Sequence, residues 1–281
     1  MKILSKLTAS LLLAGGLLAA ALMGSTADAA TVEVTVENIG GGTFNTPLFV
    51  GFHDGSFDFF DVGSTASTGI EALAEDGNNS PIIDQLTLAG TTPTGFIGGN
   101  VFGPDIPPFR AGESSSATFE VDLMSNASLS VGTMVLPTND WFLGTTNGGT
   151  IDLSNLDNGP ITFDLNRIYD AGTEVNDFNT SAANGLFGLG GGQNGPNQGV
   201  DENDLISFVG QIDANGQLIA PTGGIIADPF ADFANAPAGF NPELSSLRVT
   251  VSNVTAVPEP GSMLALTGMA VVAYRRRRRS K

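Results

Sequence analysis

The sequence predicts an all-β protein, an antiparallel β-sandwich with one or two short helices. Several short segments alternate apolar and polar residues with a period of two, as half-buried strands do. The stretches between them are rich in glycine, asparagine, aspartate, serine and threonine, the residues that turns require. No long stretch carries helical periodicity. Short strands at this spacing, joined by turn-rich connections, are the pattern of a sandwich.

The elements follow in order. Thr31–Glu37 sets Val32, Val34 and Val36 against Thr31, Glu33, Thr35 and Glu37, a strand with one buried face. Thr46–His53 reads as a strand that enters a turn at Asp54-Gly55. Phe52, His53, Phe57, Phe59 and Phe60 then fall within nine residues of a chain with 7% aromatics, a density that belongs in a core. Gly69–Glu75 places Ile70, Leu73 and Ala74 at helical spacing, with Asp76-Gly77 as the stop, and Ile82–Leu88 after Pro81 suggests a second helix. Ser116–Leu123 and Ser128–Leu136 alternate on either side of Ser125-Asn126 and read as a hairpin. Ile161–Ile168 alternates again. Leu205–Ile212 and Leu218–Ile219 flank Asp213-Ala214-Asn215-Gly216, a second hairpin signal, and Leu247–Val251 closes the domain. Gly185–Gly199 holds seven glycines but lacks the lysine of a phosphate loop, so it reads as a flexible surface loop.

The two ends read as addresses, which leaves one domain between them. Lys2 and Lys6, the apolar run Leu11–Met23 and Ala27-Asp28-Ala29 form a secretory signal over residues 1–29. At the other end, residues 257–281 carry Pro258-Glu259-Pro260, the apolar stretch Gly261–Tyr274 and the arginines Arg275–Arg279. Fourteen apolar residues are short for a stable anchor, and the arginine run holds that end in the cytoplasm. The tail is similar to the PEP-CTERM sorting signal of Gram-negative bacteria. That resemblance implies an exosortase-type sorting enzyme as a partner, a transient membrane contact through the tail, and delivery to the cell surface or the exopolysaccharide matrix.

The domain between the ends, residues 30–256, has 27 of the 29 acids but only Arg110, Arg167 and Arg248 as bases, a net charge near −24. Such a surface repels nucleic acid and anionic lipid and attracts divalent cations. There is no cysteine, so disulfides and thiol chemistry are excluded, and a single histidine excludes a multi-histidine zinc site. A metal bound here would have oxygen ligands, which points to calcium. No Gly-x-Ser-x-Gly elbow occurs, and a serine triad would have to use His53, which reads as a structural histidine at the end of a phenylalanine-rich strand. The acids at Asp201-Glu202-Asn203-Asp204 and Asp213–Gly216 lack the spacing of an EF-hand loop.

The strongest constellation is Asp140, just before the only tryptophan, Trp141, together with Tyr169-Asp170-Ala171-Gly172-Thr173-Glu174. Asp170 and Glu174 bracket a loop that Gly172 lets turn sharply. These three acids are a calcium site or ordinary turn residues. Here a resemblance enters. GFHDGSFDFFDVGSTASTGIEALAEDG, Asn139-Asp140-Trp141-Phe142-Leu143-Gly144 and Tyr169–Glu174 resemble, in order, three motifs of the spondin N-terminal domain family, over roughly residues 35–223. The resemblance implies a C2-like sandwich and a calcium ion held at Asp140, Asp170 and Glu174. Two departures stand out. Glu174 replaces an aspartate and must bend or bind differently, and Thr138-Asn139 replaces Ser-Pro, which is expected to loosen the approach to Asp140.

The expected function is that of an exported, non-enzymatic calcium-binding protein with an adhesive or structural role at the cell surface or in the matrix, partnered by extracellular polysaccharide or surface proteins. A secreted hydrolase or a lectin-like binder acting on matrix polysaccharide is the alternative.

Overall fold

The computed structural model describes residues 29–88, 94–97, 108–145, 149–181, 183–193 and 198–254. The sorting tail lies outside the described residues, as does the leader apart from Ala29. Two antiparallel sheets face each other. The smaller has four strands, in the order β5 (Ser114–Val121), β1 (Ala30–Asn38), β14 (Leu247–Asn253) and β9 (Ile161–Leu165). The larger runs β13 (Ile225–Ile226), β12 (Leu218–Ile219), β11 (Ser207–Ile212), β10 (Arg167–Asp170), β7 (Trp141–Gly144), β6 (Ser128–Leu136), β3 (Leu48–His53) and β4 (Thr94–Ile97). Two short strands, β2 (Phe44–Asn45) and β8 (Ile151–Asp152), also pair with β6.

Alternation places the apolar residues. Val32, Val34, Val36, Val249 and Val251 of the small sheet meet Leu48, Val50, Phe52, Val131, Leu143 and Ile168 of the large one, and all are buried. The opposite face of the large sheet carries Phe49, Phe142 and Tyr169, which form a second buried cluster with Phe57, Phe59, Phe60 and two helices. Those helices are α1 (Thr68–Asp76) and α2 (Ser80–Leu88), contributing Ile70, Leu73, Ala74, Ile82 and Leu86. The molecule is therefore a sandwich with a helical third layer over part of its large sheet. That layer explains why β6 is buried along nearly its whole length.

Both ends of α1 follow from sequence. The Ser67 hydroxyl accepts from the Ile70 N–H, and Gly77 at φ 63° closes the helix, its N–H bonded to helix carbonyls. Thr46 lies so close beneath Gly77 that a Cβ there would meet its side chain at 2.5 Å, so glycine is required twice over.

Two strand expectations need correction. The segments around Ser125-Asn126 do not form a hairpin. β5 pairs with β1, with Ser116 opposite Thr35, whereas β6 pairs with β3, with Val131 opposite Val50. The turn, folded back by Asp122 accepting from the Met124 N–H, crosses from one sheet to the other. Turn residues report that the chain reverses, not which neighbour each strand then chooses. Likewise Ile161–Ile168 is two strands in different sheets. The chain breaks at Asn166, whose side chain and carbonyl both bond to Ile212. The Asp213–Gly216 hairpin between β11 and β12 is borne out, with Gly216 at φ 75°. Among the described residues no helix is long and apolar enough to cross a membrane.

Candidate functional site

The two central acids meet because of strand register. β7 and β10 are antiparallel neighbours, with Asp170 opposite Trp141, and the Ala171 N–H extends the ladder by donating to the Asp140 carbonyl (3.1 Å). Asp140 at the start of one strand therefore lies beside Asp170 at the end of the other, though thirty residues separate them.

Gly172, at φ 66°, then turns the chain around the Asp140 side chain. The Thr173 and Glu174 N–H groups both donate to Asp140 Oδ2 (3.1 and 3.2 Å), while the Gly172 N–H donates to Asp170 Oδ1 (2.8 Å). Asp170 Oδ2 accepts from Trp141 Nε1 and from Asn176 Nδ2, each at 3.1 Å. The tryptophan is held in turn against Phe230 and Phe233. The expected loosening before Asp140 is not what the structure shows. The Thr138 hydroxyl donates to the Val135 carbonyl and accepts from the Trp141 N–H, and Asn139 Nδ2 donates to the Val175 carbonyl (2.7 Å).

Glu174 is placed differently from the two aspartates. Its Oε1 accepts from the Gly199 N–H (2.9 Å) and its Oε2 from Asn139 Nδ2 (3.3 Å). A Cβ at Gly199 would strike the Glu174 carboxylate, so that glycine makes the contact possible. It belongs to the glycine-rich segment expected to be a plain surface loop. The start of that segment is also fastened, because Asn184, just before it, donates through Nδ2 to the Phe178 and Gly190 carbonyls.

The electrostatics are unfavourable as they stand. Asp140 is fully buried, and burial, followed by the charge of Asp170, holds its carboxyl well above the ordinary range despite the two backbone N–H groups. Burial likewise raises Glu174, against its bonds from Gly199 and Asn139. Several buried oxygens lack any donor: Asp140 Oδ1, Asn139 Oδ1, Asn176 Oδ1 and Thr173 Oγ1. Buried acceptors without donors are what a hard cation would satisfy. Among the described residues no three acids or histidines are gathered closely enough to hold an ion alone, so amide, hydroxyl or main-chain oxygens would have to complete the set. Asn139, Asn176 and Thr173 are the residues that sequence reasoning missed. Their one local signal is a place beside or within the two acidic motifs.

His53 is buried, with Nδ1 accepting from the Gly55 N–H (3.1 Å) and Nε2 3.0 Å from Ser130 Oγ. Both ring nitrogens are engaged, and burial lowers its pKa against the opposing charge of Asp54.

An antiparallel sandwich with paired carboxylates at the ends of adjacent strands defines the class of the protein. The chain then matches the family model Spondin_N over residues 43–184, a span that contains Asp140, Asp170 and Glu174. The chain belongs to this spondin N-terminal domain family, whose domain is an extracellular, adhesion-type module. No curated protein matches it.

Proposed function

We propose that the protein is an exported, calcium-binding spondin-domain protein with a non-enzymatic adhesive or structural role at the surface of a Gram-negative cell or in its exopolysaccharide matrix. The observation that carries the calcium reading is Asp140 Oδ1, a buried carboxylate oxygen with no donor beside a second carboxylate, Asp170. Asp140 and Asp170 would hold the ion, with Glu174 entering by reorienting from Gly199 or through its neighbouring main chain. Calcium would supply charge compensation there and lock the β7–β10 ends together. The burial of the only histidine, with both ring nitrogens engaged, supports reading His53 as structural. The signal, the Pro-Glu-Pro tail and the family support export and sorting by an exosortase-type enzyme, with polysaccharide or surface proteins as partners.

Calcium at about a hundred times its Kd should stabilise the folded protein by about 2.7 kcal/mol. For a domain of this size that is a rise in Tm of about 5–10 °C. Asp140→Asn and Asp170→Ala should each abolish the rise. A response unchanged in both variants would refute the site.

A further inference from the structure

Three buried acceptors around the paired aspartates share one feature. Asp140 Oδ1, Asn139 Oδ1 and Asn176 Oδ1 have no donor, while the second atom of each group is already committed. Asp140 Oδ2 takes the Thr173 and Glu174 N–H groups (3.1 and 3.2 Å). Asn139 Nδ2 donates to the Val175 carbonyl (2.7 Å) and to Glu174 Oε2 (3.3 Å). Asn176 Nδ2 donates to Asp170 Oδ2 (3.1 Å), which also accepts from Trp141 Nε1.

These bonds fix which way each amide faces. An asparagine turned over would bring its oxygen against the Val175 carbonyl or the Asp170 carboxylate, acceptor to acceptor, so Oδ1 is the atom that points away. Neither oxygen can withdraw to water. Asn139 is fully buried. The Asn176 carbonyl accepts from the Ala234 N–H (2.9 Å), which pins its main chain, and its Oδ1 is shielded from solvent. An amide oxygen held in this way costs free energy until something positive reaches it. Buried amide oxygens at Asn45 and Asn79 also lack donors, but among the described residues neither side chain is joined to an acid. Thr173 does not belong to the set, because its hydroxyl acts on the Glu75 carboxylate.

We infer that Asn139 Oδ1 and Asn176 Oδ1 are ligands of the same cation as Asp140 and Asp170, and that their neutrality sets its charge. The inference rests on the calcium reading and deepens it. Two carboxylates and two neutral amide oxygens balance a divalent ion, and main-chain oxygens or water complete the shell of about six to eight that calcium takes. The choice of ion at such a site follows the number of charged ligands. Glu174 contributes through its neighbours. Its carboxylate holds Asn139 Nδ2 and the Gly199 N–H, and its own N–H holds Asp140 Oδ2.

The test is calorimetric titration of the exported protein with calcium and, in parallel, with terbium. Asn139→Ala and Asn176→Ala should each weaken calcium binding about tenfold or more. Asn166→Ala, which removes an amide bonded to Ile212 at the other end of β10, should leave it unchanged. Asn139→Asp separates the oxygen from the nitrogen. It loses the bond to Val175 as fully as alanine does, but it keeps an oxygen in place and adds a charge. It should therefore bind calcium at least as tightly as wild type and shift preference toward the trivalent ion about tenfold. Binding by Asn139→Asp as weak as by Asn139→Ala would show that Asn139 acts only by holding Val175, and would overturn it as a ligand. Wild-type protein isotope-labelled at the asparagine Cγ and observed by NMR covers a variant that fails to fold. Ligation at Oδ1 draws electron density from Cγ, so calcium should move the Asn139 and Asn176 signals downfield and leave Asn166 in place. Unmoved signals at saturation would overturn the amide ligands. Calcium binding lost in Asp140→Asn but untouched in both alanine variants would overturn the inference and leave the calcium reading standing. No calcium binding by wild type would overturn both.

Discussion

Replacing Glu75 by glutamine should make the cation-free protein more stable, but only at high pH. Burial pushes this carboxyl from its ordinary 4.5 up to about 7, with the charges of Glu174, Glu71 and Asp76 adding to the effect and the Thr173 hydroxyl opposing it. A group whose pKa is higher folded than unfolded favours folding while it is protonated. Its contribution is complete below about 4.5 and is lost as the pH rises through about 7. Each tenfold change in proton affinity is worth about 1.4 kcal/mol, so the full displacement corresponds to about 3 kcal/mol. Glu75 lines an open cleft between α1 and Asp201–Asp204, and screening from that side reduces the expectation to about 1–2 kcal/mol. The assay is urea unfolding of wild type and Glu75→Gln at pH 5, 6, 7 and 8, with chelator and without amine buffers. Taking the difference between the two proteins cancels the titration of Asp140 and Glu174, which are raised in both. The two should agree within about 0.5 kcal/mol at pH 5, the variant becoming more stable by about 1–2 kcal/mol at pH 8. A difference independent of pH, or a variant less stable at pH 8, would refute the reasoning.

The helical layer offers a second test. Phe60 packs edge-on against Phe142 (5.0 Å) and Tyr169 (4.7 Å), joining the phenylalanine-rich segment to β7 and β10, so Phe60→Ala should cost about 3–5 kcal/mol in urea unfolding. A loss below about 1 kcal/mol would mean that the helices do not cap the sheet through these rings. Gly172→Ala meets a positive φ and the Asp204 main chain together. It should lower stability by about 1–3 kcal/mol and remove the Tm response to calcium, and a retained response would show that the loop turns without glycine.

The family could be read in the sequence because its motifs are contiguous words, and the first of them holds Phe57, Phe59, Phe60, Ile70, Leu73 and Ala74 of the second core cluster. The helix α1 was legible for a local reason: its apolar spacing and its glycine stop all lie within one short stretch. Asp140 and Asp170 were legible as candidates, because each stands in a recognisable run. Their neighbourhood was not, because it depends on the pairing of β7 with β10, and β7 is four residues long, too short for alternation to announce it. The three oxygens of Asn139, Thr173 and Asn176 were invisible for a related reason. An asparagine or threonine in a turn-rich chain signals nothing until burial removes its water.

Sequence by itself determined the fold class, the reversals of the chain, one helix with its cap, and the acids from which any site must be built. These are properties of neighbours along the chain, where backbone preference and apolar period act over a few residues. Only the tertiary structure decided which strands pair, that the false hairpin at Ser125-Asn126 divides between two sheets, and that Ile161–Ile168 breaks at Asn166. It also turned Glu174 toward Gly199 and set Glu75 at the base of an acidic cleft. Those outcomes depend on which faces can be buried together and on where water is excluded. Burial is a property of the packed whole, and a carboxylate acquires its chemistry from it.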